Sequence, residues 1–157
     1  MRLRVVGLGL VAVVVALLAV AVGGCGGSEG ASKDDFAASV TQARDRVDYA
    51  LAQITQQKTR DAFLDQMVAS SKLIDDAADD FESGGSAEGF EGKSEKLVKA
   101  MRQLAVDLNA TAEQIRLPGY ESLLDAKGLS FGSWDAINAT LAALNKHGVE
   151  VAPLGRH

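Results

Sequence analysis

The chain has 157 residues, enough for one domain, with 16 basic against 21 acidic residues and a formal net charge of −5 at pH 7. This acidic balance argues against nucleic acid as a partner and against adhesion to anionic lipid head groups. A single cysteine excludes an intramolecular disulfide, so a folded body must be held by its core alone.

Residues 1–24 read as a secretory signal. Met1-Arg2-Leu3-Arg4 supplies two positive charges, Val5 to Val22 is an uncharged run of Val, Leu, Ala and Gly, and the small residues Gly23 and Gly24 follow. Eighteen apolar residues also barely suffice to cross a bilayer, so an uncleaved anchor is the rival. In both readings the leading arginines leave the N-terminus in the cytoplasm and the body outside.

Val22-Gly23-Gly24-Cys25 resembles the lipobox of bacterial lipoproteins. Val22 stands at the aliphatic position three before the cysteine, and Gly24 at the small position directly before it. The resemblance covers about 25 residues. It implies cleavage before Cys25, a diacylglyceryl thioether on its sulfur and a further acyl chain on the new amine. The membrane is then a partner through that lipid, on the extracytoplasmic face of the cell membrane. Two chains anchor stably where one does not. The competing reading is a spare cysteine after a signal or membrane helix. Cleavage takes away Arg2 and Arg4, leaving fourteen basic against twenty-one acidic residues, a net charge of −7. Few Asn and Ile beside many Ala, Val, Gly and Arg point to a GC-rich genome and, with the lipobox, to an actinobacterial source.

Residues 25–33 form the lipidated cysteine and a Gly/Ser-rich tether with a root-mean-square reach of about 15 Å. A helical domain spans 34–157. Ser32 is the expected N-cap of the first helix, with Asp34 and Asp35 at the positive end of its dipole. Phe36, Val40, Ala43, Val47, Ala50 and Ile54 recur at steps of four and three and make one seam. Phe63, Met67, Ser70, Ile74, Ala77 and Phe81 make a second. Continuing the first seam would place Gln57 and Asp61 in the core, so a break is expected at Gln57–Arg60, with Thr59 as N-cap. One uninterrupted helix is the alternative. Ser83-Gly84-Gly85-Ser86 ends the second helix, and Ser86 is expected to cap the third. That helix carries Phe90, Ser94, Leu97, Met101, Leu104, Leu108, Thr111 and Ile115, and Pro118-Gly119 stops it.

A short helix is predicted over Tyr120–Lys127, closed by Gly128 with Leu129 packing on Leu124. The last runs from Ser133, its expected cap, to His147, with Trp134, Ile137, Leu141 and Leu144 inward. Gly148 would close it and return Val149 onto Leu144. Val149-Glu150-Val151 is too short to count as a strand. The fold class is all-α: an antiparallel up-down four-helix bundle with a short extra helix in its last connection, residues 117–132.

Candidate binding residues fall into two groups. Asp75, Asp76, Asp79, Asp80 and Glu82 crowd the end of the second helix, where acids repel one another and oppose the dipole. Pairing with Lys93, Lys96 and Lys99 of the third helix, or solvation, accounts for them. A docking patch for a basic partner is the second reading and a cation site the third, without an Asp-x-Asp-x-Asp-Gly loop to support it. Tyr120, Phe131 and Trp134 gather near the last connection, as a lid on the bundle end or as a contact surface.

No catalytic residue, metal site or cofactor emerges. His147 and His157 stand at the C-terminal end without a nucleophile elbow, a Glu-x-x-His pair or a Cys-x-x-Cys-His motif. Met67 or Met101 with His147 as haem ligands is outweighed by their seam positions. Asn109-Ala110-Thr111 and Asn138-Ala139-Thr140 match the N-glycosylation pattern by coincidence. The expected function is a membrane-anchored, non-catalytic binding or scaffolding module that meets another envelope protein. The alternative is a carrier holding a small apolar ligand in the bundle interior.

Overall fold

The computed structural model describes residues 31–117 and 131–155. The signal and lipobox with Cys25, most of the tether, the predicted helix at Tyr120–Lys127 with its Leu129–Leu124 contact, and His157 lie outside those residues. Four helices and no strand are present among the described residues: α1 (Lys33–Thr55), α2 (Arg60–Ser83), α3 (Glu91–Arg116) and α4 (Gly132–Asn145). They pack on one another in chain order, α1 on α2, α2 on α3 and α3 on α4.

The first two helices form where their seams place them. Ser32 caps α1, its Oγ accepting from the Asp35 N–H at 3.1 Å. All six residues of the first seam are buried. The helix stops at Thr55, and Thr59 starts α2 by accepting from the Ala62 N–H at 3.3 Å. The register change between the seams is thus a real break. It needs neither Gly nor Pro, because carrying α1 onward would bury Gln57 and Asp61.

Small residues let α1 and α2 approach closely. Ser70 is fully buried, and its Oγ donates to the Ala50 carbonyl at 2.8 Å. At one end Phe36 packs against Phe81 and Phe90, with ring centroids 6.0 and 5.3 Å apart. All six residues of the second seam are buried, with Leu64 and Ala78 beside them.

Helix α3 starts differently from the expectation. Ser86 is not its cap. Gly89 takes a left-handed φ of 81°, the Phe90 N–H donates to Ala87 O at 3.0 Å, and the helix begins at Glu91 with no side-chain cap at Phe90. The Glu91 carboxylate instead accepts the Gly89 N–H at 3.1 Å. The contact of Phe90 with Phe36 and the burial of Ala87 set this start, outweighing a local serine. The buried face of α3 is also wider than one seam. Val98, Ala100, Ala105 and Ala112 join it because α3 has a neighbour on each side, while Thr111 stays partly exposed.

Ser133 does not cap α4 either. It is the second residue of the helix, and its hydroxyl donates to Asp107 Oδ2 of α3 at 2.6 Å. A partner on another helix has taken the hydroxyl that a cap would use. Ile137, Leu141 and Leu144 are buried as expected. Gly148, at φ 79°, closes the end, and the Val149 N–H donates back to Leu144 O at 3.1 Å with both side chains buried.

The C-terminal segment, residues 149–155, joins α1 to α4. Val149, Val151 and Leu154 enter the core. Asn145 holds Val151 at both backbone groups, with Nδ2 donating to its carbonyl at 2.8 Å and Oδ1 accepting its N–H at 2.7 Å. Asn138 Oδ1 accepts the Leu154 N–H at 2.8 Å. From α1, Arg44 donates to Pro153 O and Asp48 accepts the Gly155 N–H at 2.7 Å. The irregular backbone is thus satisfied by side chains from two helices.

Candidate binding surface

The acidic end of α2 is tied to its neighbours by arginines. Arg102 of α3 reaches Asp79 at 2.6 Å and Glu82 at 2.7 Å. These hydrogen bonds, Glu82 foremost, raise its pKa above the ordinary arginine value. Arg46 of α1 pairs with Asp80. The expected partners, Lys93, Lys96 and Lys99, form no ion pair with this run. Lys93 instead sits over the Phe90 ring, 5.4 Å from its centroid. Arginine's longer, forked head spans from a neighbouring helix to two carboxylates at once, which a lysine's point charge does not. Asp75 and Asp76 are exposed and have no ion pair among the described residues. Three of the five carboxylates in this run therefore share two guanidinium groups.

Of the three aromatics singled out from the sequence, Phe131 and Trp134 are partly buried and pack against the core. Tyr120 lies outside the described residues. Among the described residues no group of three or more His, Cys, Asp or Glu is placed to hold a metal ion, and no helix is long and apolar enough to cross a membrane.

An open groove runs along the outer face of α1 beside α2. Its volume is about 660 Å³, and it is lined by Ala38, Thr41, Gln42, Asp45, Arg46, Tyr49 and Leu73. Small Ala38 and Thr41 keep the floor low at one end, and Tyr49 walls the other. Tyr49 is 60 % exposed and Leu73 39 % exposed, both large for an outward-facing position. The Tyr49 hydroxyl has no hydrogen-bond partner among the described residues. Leu73 is the lining residue that α2 supplies, and the lining residue Arg46 is the one paired with Asp80.

Tyr49 and Leu73 were passed over in the sequence reading, although their signal is there. Each stands one place off its seam, beside Ala50 and Ile74, where a bundle needs only polar residues. A second groove, of about 510 Å³, lies between the start of α3 and the end of α4, lined by Gly89, Gly92, Lys93, Lys96, Ala139, Thr140 and Ala143. Neither groove is lined by a seam residue. Comparison with family models, with curated proteins and with solved structures finds no match to this chain.

Proposed function

We propose that this chain is a bacterial lipoprotein. Lipid on Cys25 anchors it to the extracytoplasmic face of the cell membrane, and its helical body works as a non-catalytic binding or scaffolding module. The body is an antiparallel up-down bundle. Two contacts support it: Phe36 at the start of α1 packs on Phe81 at the end of α2, and Asp65 near the start of α2 pairs with Arg116 at the end of α3.

The observation that carries the binding role is the groove with Tyr49 and Leu73 exposed on it. Tyrosine in a surface groove supplies much contact area at low cost in side-chain entropy, and such residues anchor interfaces. Both grooves lie outside the seams, which favours a surface contact over a ligand carried in the interior.

The test is cross-linking in the native cells from a photoreactive aromatic replacing Tyr49, with Glu95 on the exposed face of α3 as the control position. A discrete adduct with one envelope protein from position 49, absent from position 95, is expected. Identical adduct patterns from the two positions would remove the groove as the contact surface.

A further inference from the structure

We infer that the cleft between α1 and α4 is a binding site for an extended peptide, and that residues 150–155 fill it as a displaceable strap. The occupant from outside is a segment of a partner protein with the pattern apolar-x-Pro-apolar. The site shares no residue with the lining of the groove at Tyr49, so neither reading depends on the other.

The strap is held as a ligand is held. Helix α4 packs on α3 and not closely on α1, and the strap bridges α1 and α4. Val149 still belongs to the end of α4, through its N–H on Leu144 O. Beyond it, among the described residues, no main-chain hydrogen bond ties residues 150–155 to a helix or to one another. The strap can therefore leave without breaking a turn of any helix. Segments of that kind open at the low-stability end of a fold.

The contacts define what fits. Asn145 takes both main-chain groups of Val151, at 2.8 and 2.7 Å. Asn138 accepts the Leu154 N–H, and Asp48 accepts the Gly155 N–H. Arg44 donates from Nε and Nη2 to the Pro153 carbonyl, at 3.2 and 2.6 Å. These bonds all go to the strap's main chain and none to its side chains. Reading the main chain and leaving selectivity to a few apolar pockets is a general way to bind an extended peptide.

The pockets supply the pattern. Val151 and Leu154 are buried, while Glu150, Ala152 and Pro153 are exposed. Pro153 stands where only its carbonyl is used, so its missing N–H costs nothing, and its fixed φ suits an extended chain. A guest with two apolar residues three apart and a proline before the second meets the same groups. The strap is tethered beside the cleft and competes with that guest at high effective concentration. It is a built-in competitor, and weakening it should strengthen binding.

The test uses the full chain. The probe is a fluorescent peptide with the sequence of residues 149–155, Val-Glu-Val-Ala-Pro-Leu-Gly, blocked at both ends, and a scrambled peptide is the control. Val151→Asp with Leu154→Asp drives the chain's own strap out of the cleft. This double variant is expected to bind the peptide at least about tenfold more tightly than the parent, and the scrambled peptide not at all. Adding Asn145→Ala to it should weaken binding about tenfold, since two hydrogen bonds are lost. In the parent, a large excess of unlabelled peptide should quicken amide exchange at Val151 and Leu154 of the chain. Equal binding by parent and double variant, equal binding of both peptides, or exchange that the excess peptide leaves unchanged would overturn the inference. Loss of the helical circular dichroism signal in the double variant would overturn it too, because a segment the bundle cannot release is not a strap. A parent dimer that Leu154→Asp abolishes would rule out the outside partner and give the cleft to the strap of a second copy.

Discussion

Phe36 is the residue on which one end of the bundle closes. It has no exposed surface and touches aromatic rings from α2 and from the start of α3. Phe36→Ala removes the ring that both lean on, and a loss of about 3–5 kcal/mol is expected from such a truncation. Urea unfolding followed by circular dichroism reads it, and a loss below 1 kcal/mol would show that the ring is not central. Ser70 is important for the opposite reason, its small size. Ser70→Ala forfeits one hydrogen bond to Ala50 and should cost about 1 kcal/mol. Ser70→Leu must push α1 away and should cost more, about 1–3 kcal/mol beyond the alanine change. If leucine is tolerated as well as alanine, the close approach of the two helices is not required. Gly148 is needed for its backbone. Its φ of 79° strains any residue with a Cβ, so Gly148→Ala should cost about 1–2 kcal/mol. The Lys33 amine, 2.8 Å from that Cβ position, is the end of a flexible side chain and can move aside.

At the scale of elements, what could be read in advance was what repeats. The first two seams, the break between them and the caps Ser32 and Thr59 follow from helical spacing and from chemistry within three residues. Ser86 and Ser133 show where that reasoning stops. Each had the right side chain in the right local place, but Phe90 packing on Phe36 and Asp107 of α3 decided the outcome from far along the chain. The C-terminal segment was hidden for the same reason. Its backbone is irregular, and Asn138 and Asn145, which hold it, look like ordinary polar positions of a helix. Asn145→Ala leaves the buried backbone groups of Val151 without partners, at an expected cost of about 1–3 kcal/mol. Amide hydrogen exchange should quicken at Val151 and Leu154 while the α2 and α3 amides keep their protection. Unchanged exchange at Val151 would mean that the asparagine does not hold the segment.

For the whole molecule, the body was more legible than the proposed contact surface. Aromatic residues drew attention to Phe131 and Trp134, which rest partly in the core, while Tyr49 and Leu73 stood out only once the seams were fixed. Sequence patterning marks what must be buried. An exposed apolar residue breaks that pattern by one position and is easily read as noise. The acidic run was legible as a feature, but its arginine partners came from a side-chain reach that spacing along one helix does not show. The proposed placement of the whole protein, a small helical body held close to the membrane, depends on Cys25. Its most direct test is the intact mass of the protein extracted from its own membranes and denatured. A chain that begins at Cys25 and is heavier than its polypeptide by a diacylglyceryl group and an acyl chain is the expected result. A chain that retains residues 1–24, or one with an unmodified Cys25 thiol, would contradict the lipid anchor.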